Sequence, residues 1–346
     1  MTDWLARALA EGTPLIDGNT ATFVWAGETA PAIRCDITGW WPGAEPWRML
    51  PAGPGVWTYS REFPDDAYLE YGYFDGEARL RDPFSRHLMP NGVGSINNYL
   101  AMPDTFTTAQ NLPRLGIPAG RVLGEDIPAP TLTGGRRSIA LYQPAAPGPY
   151  PLLVVFDGKD YLERALLPTL LDNMIADGAI PPLAAVMVNN HPEARIAEYA
   201  SSEATLTFVI DTLLPWVGER IPLVDTPGAH AVVGASMGGL MSLFAGLRCP
   251  ELFGHVLSQS GAFGWRGNEL IFTLVELTPR PPVRIYLSVG EYEWLYKPNG
   301  RMRDTLQATG YDHLYRTFHA GHNYTAWALD LPHGLTWLYG NKEGQA

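Results

Sequence analysis

The stretch Ala231-Val-Val-Gly-Ala-Ser-Met-Gly-Gly-Leu240 constrains the fold of this chain more than any other. It runs from an apolar, strand-like segment through Gly234-Ala235-Ser236-Met237-Gly238 into an apolar helical segment that extends from Gly239 to Arg248. Strand, G-x-S-x-G, helix is the context that makes a nucleophile elbow of a short motif. The glycines are needed on steric grounds, because side chains flanking the serine would collide with the neighbouring strand and helix. The turn then lifts Ser236 to the carboxyl edge of a sheet, and the amide of Met237, at the helix N-terminus, faces a developing oxyanion.

A serine on such an elbow requires a buried sheet around it, and the second half of the chain supplies one. Ser138–Tyr142 reads as a strand, and Leu152–Phe156 and Ala184–Val188 are continuous apolar runs suited to strands covered on both faces. Helical spacing is predicted for Leu162–Ile175, Ala204–Val217 and Met302–Thr309, and further strands for His255–Ser258, Arg284–Val289 and Leu314–Phe318. Alternating strands and helices imply a mostly parallel sheet with helices on both faces. With the elbow in place, the expected fold is that of an α/β-hydrolase.

The first part of the chain has a different rhythm. A short amphipathic helix around Trp4, Leu5, Ala8 and Leu9 is followed by alternating segments at Thr22–Trp25, Ala32–Ile37, Gly55–Phe63 and Tyr68–Phe74, the last ending on the hairpin signal Asp75-Gly76. Short strands at this spacing indicate an immunoglobulin-like (early-set) β-sandwich. Asp36-Ile-Thr-Gly-Trp-Trp41 resembles the glycogen-binding and early-set modules attached to carbohydrate enzymes. Trp40, Trp41 and Trp47 are then either sugar-binding or, the preferred reading, fillers of the sandwich or its seam. From Asp82 to Pro130 the chain is rich in Pro, Gly and Asn and is expected to be a connector. The domains are therefore set at residues 1–125 and 126–346.

Composition excludes several functions. With 24 basic and 36 acidic residues the net charge is −12, which opposes a nucleic-acid partner and repels anionic substrates unless a local cationic pocket receives them. No apolar run approaches the roughly 18 residues of a membrane span. The N-terminus lacks the features of a secretory signal, and Cys35 and Cys249 lie too far apart in sequence to suggest a disulfide framework. A cytoplasmic protein without membrane contact is expected; its oligomeric state is open.

A serine hydroxyl needs a base, and the base needs an orienting carboxylate. In this fold the chain order is Ser, acid, His. Of the histidines after Ser236, His322 in Ala320-Gly-His-Asn323 lies just past the last strand, where a loop can carry the ring back over an elbow; His319 is the runner-up. A metal at His319 and His322 would lack an HExxH-like pattern or an acidic companion. The acid is expected after Arg284–Val289, where Glu291 and Glu293 are indistinguishable by position. The second oxyanion amide is expected in Asp157-Gly158-Lys159, where Lys159 is either a charge near the substrate or a solvated lysine. Arg195, at another strand's carboxyl edge, either clamps an anionic oxygen or pairs with Glu198.

Several stretches together resemble the enterochelin esterase family of α/β-hydrolases, whose members hydrolyse the trilactone of ferric enterobactin. They are Phe156-Asp-Gly158, Leu171 to Pro182, Arg195-Ile-Ala-Glu-Tyr199, Leu213-Leu-Pro-Trp216, Gly234 to Gly239, Pro250-Glu-Leu-Phe-Gly254, Leu257-Ser-Gln-Ser-Gly261 and Gly321-His322. The resemblance spans nearly all of residues 138–340, and a sandwich ahead of the hydrolase is similar to the family's arrangement. The family's G-x-x-E pattern falls on Gly290-Glu-Tyr-Glu293 and so implies Glu293 as the acid. It implies Ser236 as nucleophile, His322 as base and Arg195 as a substrate-pocket residue, and Trp265 is a further substrate-binding candidate. The chain departs from the pattern at Ser201-Ser202, where the family has an asparagine, and at Phe263-Gly-Trp265, where it has an aromatic pair.

The expected activity is hydrolysis of a small-molecule ester through an acyl-enzyme, without metal or cofactor, with a siderophore trilactone as the substrate the resemblance implies. Two alternatives are a feruloyl or acetyl carbohydrate esterase with a sugar-binding sandwich, and a binding protein on a hydrolase scaffold that has lost catalysis.

Overall fold

The computed structural model describes residues 3–41, 43–92, 94–278 and 282–340. The chain divides into two compact units, one of residues 1–108 with 290–294 and 318–326, the other of residues 109–289, 295–317 and 327–346. Composition placed the division near residue 125; contacts place it between Thr108 and Ala109. The reason is that the connector is bonded into the second unit. Asn173 donates to the carbonyls of Gln110 (2.6 Å) and Leu112 (2.9 Å), and Arg114 pairs with Asp177 at 2.7 Å.

The first unit opens with α1 (Trp4–Glu11), capped by Asp3, whose carboxylate accepts from the Ala6 amide. Ten strands follow among the described residues: β1 (Leu15–Asp17), β2 (Thr20–Ala26), β3 (Ala32–Cys35), β4 (Trp47–Arg48), β5 (Leu50–Gly53), β6 (Val56–Glu62), β7 (Tyr68–Asp75), β8 (Ala78–Leu80), β9 (Leu88–Pro90) and β10 (Ile96–Ala101). They form a four-stranded sheet, β1-β2-β6-β5, and a six-stranded one, β4-β3-β7-β10-β9 with β8 paired to β7. Neighbouring strands in both sheets pair antiparallel, and β7 and β8 make the hairpin expected at Asp75-Gly76. Residues of both sheets share one apolar core, in which Phe23 of β2 meets Tyr71 of β7 edge-on at 4.8 Å. Trp47 stacks on Tyr59 at 4.7 Å in this core. Trp47 is thus a filler, whereas Trp41 is half exposed.

The second unit is built on eight strands: β11 (Arg121–Pro128), β12 (Arg136–Gln143), β13 (Leu152–Phe156), β14 (Ala184–Val188), β15 (Ala231–Ala235), β16 (His255–Gln259), β17 (Arg284–Gly290) and β18 (Asp312–Phe318). Their order is β11-β12-β14-β13-β15-β16-β17-β18. β12 is antiparallel to both neighbours, while β14, β13, β15, β16 and β17 pair in parallel. β13, β14 and β15 are buried along their whole length, the physical reason for their uninterrupted apolar runs.

The helices are α2 (Gly158–Glu163), α3 (Leu167–Ala176), α4 (Arg195–Tyr199), α5 (Glu203–Phe208), α6 (Leu214–Gly218), α7 (Met237–Arg248), α8 (Leu270–Leu277), α9 (Tyr296–Thr309) and α10 (Tyr324–Tyr339). The single helix expected over Leu162–Ile175 is two, α2 and α3. Leu166 between them takes a left-handed φ of 53°, and a proline opens α3, where its missing N–H costs nothing. The helix expected over Ala204–Val217 is interrupted by a π-turn at Val209–Leu213. Among the described residues no helix is long and apolar enough to cross a membrane.

Candidate active site

The sheet order places β15 beside β13 and β16, and its end turns into α7 through Ser236. Ser236 adopts φ 58°, ψ −121°, a region that costs a non-glycine residue about 1–3 kcal/mol and persists only where its surroundings enforce it. They do so here. The Ser236 amide donates to the Gln259 carbonyl at 2.9 Å, and the Ser236 carbonyl accepts from the amides of Ala262 (2.9 Å) and Leu240 (3.1 Å). Gly234 is required by close approach, since a Cβ there would stand 2.5 Å from the carbonyl carbon of Gly238. Ser236 is partly exposed, and Met237, buried, is the first residue of the twelve-residue α7. The Met237 amide therefore lies in a turn whose N–H groups have no intrahelical acceptor.

Gln259 in turn belongs to a buried polar network. The Gln259 side chain donates to Asp330 Oδ2 (3.0 Å) and to the Trp327 carbonyl (2.9 Å), and accepts from the Tyr161 hydroxyl (2.9 Å). Asp330, buried, also accepts from the Tyr286 hydroxyl and Arg316, each at 2.8 Å. This network fixes the residue that in turn holds the Ser236 amide.

The end of β13 reaches the same place from the other side. Asp157, buried with φ 57°, precedes α2, so the amides of Gly158 and Lys159 open that helix. Gly158 has no room for a side chain: a Cβ would lie 2.4 Å from the Met187 carbonyl carbon. Lys159 is exposed. A Cβ on Gly238 of the elbow would touch Asp157 Oδ2 at 3.3 Å, which places this loop against the start of α7.

Arg195 is committed to Asp157. Its Nε and Nη2 donate to the two carboxylate oxygens at 2.7 and 2.5 Å, and Asn190 donates to Oδ1 at 2.6 Å. Glu198, the partner considered for Arg195 from sequence, instead forms a buried pair with Arg137. Arg195 and Glu198 share a short helix, but Glu198 turns inward toward Arg137 of β12 and accepts a hydrogen bond from the Thr133 amide at 2.9 Å. Trp265 sits on a 3₁₀ turn and is 37% exposed, whereas Phe263 is buried in the core.

The loops that carry Glu293 and His322 belong to the first unit. The loop after β17 is zipped to the loop after β18: the Glu291 amide donates to the Phe318 carbonyl (2.9 Å) and the Tyr292 amide to the Ala320 carbonyl (3.0 Å). This register gives the two glutamates different partners. His322 Nδ1 is bonded to Glu293 Oε2, and Glu293 Oε1 accepts from the Gly290 amide at 3.0 Å. Glu291 faces His319 instead, at 3.9 Å, and His319 Nδ1 is bonded to Asp66 at 2.7 Å. The Glu293 side chain is fully buried and that of His322 is 16% exposed. A carboxylate on Nδ1 holds the proton there and leaves the basic lone pair on Nε2. The imidazole packs against Trp294 with centroids 4.6 Å apart, and Trp294 meets Trp41 edge-on at 6.0 Å.

Sequence reasoning missed Asp36 in its contacts with this loop. Its Oδ2 accepts from the Glu70 amide (2.9 Å) and Asn323 Nδ2 (3.4 Å), and its Oδ1 from Trp40 Nε1 (3.0 Å). Burial pushes its carboxyl up to about 6, with the Glu293 charge adding to the rise and His322 opposing it. Of its partners only Trp40 is close in sequence; Glu70 and Asn323 are 34 and 287 positions away, so nothing local ties Asp36 to this loop.

Residues 131–338 match the Esterase family ("Putative esterase"). The chain is 26% identical to the iron(III) enterobactin esterase of Dickeya dadantii over 409 aligned positions, covering 99% of this chain and 94% of the relative. It superimposes on the ferric enterobactin esterase structure from Salmonella typhimurium with a TM-score of 0.79, at 22% identity, covering 92% of this chain and 93% of the other. The Shigella flexneri enterobactin esterase, solved in the presence of enterobactin, gives a TM-score of 0.77 at 21% identity, with 92% of each chain covered. These neighbours share the α/β-hydrolase-type fold of the second unit. The chain belongs to the Esterase family of carboxylic ester hydrolases and is a relative of the enterobactin esterases.

Proposed function

We propose that the chain hydrolyses esters through an acyl-enzyme formed on Ser236. Ser236 Oγ attacks the ester carbonyl and its proton passes to His322 Nε2, while Glu293, bonded to Nδ1, stabilises the imidazolium. The negative charge on the carbonyl oxygen is received by the amides of Met237 and of the Gly158–Lys159 turn. Collapse expels the alcohol with the proton from His322, and a water activated by the same histidine releases the acid and restores the serine.

The observation that carries this reading is the backbone of Ser236, held in a strained conformation by three hydrogen bonds at a helix N-terminus. The Glu293–His322 bond supports the assignment of the base and its orienter. Arg195 serves the site through Asp157, and Trp265 offers an exposed aromatic face to the acyl group. The two antiparallel sheets with a common core support an immunoglobulin-like sandwich in the first unit.

The names of the relatives support a cyclic trilactone such as enterobactin as substrate. Turnover of p-nitrophenyl acetate, apo enterobactin and ferric enterobactin, measured side by side in wild type and Ser236→Ala, tests the reading. Loss of several orders of magnitude in turnover and of fluorophosphonate labelling is expected in the variant. Near-normal turnover by folded Ser236→Ala would overturn the mechanism, and activity confined to the simple ester would discard the trilactone.

A further inference from the structure

We propose that Asp36 is a positioning residue for the acid–base pair: it braces the chain on both sides of His322 and adds a second negative charge near the imidazole. The proposal rests on the esterase reading above. Asp36 lies just past β3, and its side chain occupies the place a side chain at position 321 would need, since a Cβ on Gly321 would lie 2.2 Å from Asp36 Cγ. On the other side of His322, Asn323 donates to Asp36 Oδ2 at 3.4 Å. The Glu70 amide and Trp40 Nε1, at 2.9 and 3.0 Å, fix the carboxylate from β7 and from its own turn. The residue before His322 and the residue after it thus both rest on one side chain. The loop is held where Nδ1 meets Glu293, so the ring has little freedom to swing away.

The position is also electrostatically coupled. Glu293 and His322 face Asp36 from the loops after β17 and β18, and the buried Tyr68 and Glu70 of β7 lie on its remaining side. Glu70 directs its own carboxylate to Asn97. An ionised Asp36 stabilises the imidazolium that forms as Ser236 loses its proton, because an opposite charge favours the charged form. A protonated Asp36 does not, and its carboxyl, raised to about 6 by burial, changes state within the range where histidine titrates. Asp36 touches neither substrate nor reacting atoms, so its effect falls on kcat and on the pH profile, not on KM.

Asp36→Asn, which keeps the shape and removes the charge, tests this with wild type as reference. Expected are a kcat about tenfold lower, an unchanged KM, and an acid limb of kcat/KM moved to lower pH. In the Ser236→Ala background, replacing Asp36 as well should move the midpoint of the His322 Cε1–H resonance to lower pH, because a neighbouring negative charge is removed. An acid limb and a His322 midpoint unmoved by the substitution, with only thermal stability reduced, would overturn the proposal. If Asp36→Asn does not fold, Ser236→Ala alone decides: a His322 titration curve broadened beyond a one-proton step is expected from its interaction with Asp36, and a curve that fits a single one-proton step overturns the coupling. If wild type turns over no ester and takes no fluorophosphonate, the esterase reading fails, while the NMR titration still reads Asp36 separately.

Discussion

Arg195→Ala distinguishes a residue that grips substrate from one that holds the site together. The Asp157 carboxylate is 1% exposed and receives two guanidinium bonds, while the Arg195 side chain is 27% exposed. Breaking a buried pair by removing one partner costs about 3–5 kcal/mol. Here the vacated space opens toward solvent, and Asn190 still donates to Oδ1 at 2.6 Å, so the expected cost falls to about 2–3 kcal/mol. For a unit of this size that corresponds to a fall in Tm of about 5–10 °C, readable by calorimetry or circular dichroism. Asp157→Asn in the same chain removes the stranded charge and should restore about 1 kcal/mol or more. Because Asp157 directly precedes the Gly158 and Lys159 amides, kcat for a neutral ester should fall about 10- to 100-fold with KM little changed. An Arg195→Ala protein with wild-type Tm and kcat, and a KM raised only for anionic esters, would refute this reasoning and make Arg195 a substrate clamp.

Two further substitutions test the local geometry. Glu293→Gln should lower kcat by about two to four orders of magnitude, since it removes the charge that stabilises the imidazolium, while Glu291→Gln should stay within a few-fold of wild type; equal losses in steady-state assays would contradict the pairing of the two loops. Gly234→Ala puts a Cβ 2.5 Å from the Gly238 backbone, and overpacking of this kind costs about 1–3 kcal/mol or more. It should lower Tm and abolish fluorophosphonate labelling, and a labelled variant with an unchanged Tm would show that the elbow has room to spare.

Much of the second unit was legible because its signals are local. A strand buried on both faces must be apolar throughout, and β13, β14 and β15 show it; a serine flanked by glycines between strand and helix has few other conformations. β11 was read as connector because it is an edge strand with exposed side chains, so no burial selects its residues into an alternating pattern. The break at Leu166 was hidden because apolar spacing continues through it, although one residue leaves the helical region. α10 went unread beyond His322, its Pro332 interrupting the pattern that would have marked it.

The sequence by itself determines the elbow and the parallel sheet behind it, since glycine spacing and apolar periodicity are set by neighbours along the chain. Position left Glu291 and Glu293 equivalent until a family pattern chose between them, and the hydrogen-bond register of two loops shows why they differ: one glutamate faces His319, the other His322. Tertiary structure alone turned Arg195 onto Asp157 and Glu198 onto Arg137. It also brought Asp36 to Asn323 across 287 positions of chain. Such pairings are decided by which backbone segments pack together, and a side chain's partner at that distance leaves no trace in the residues beside it.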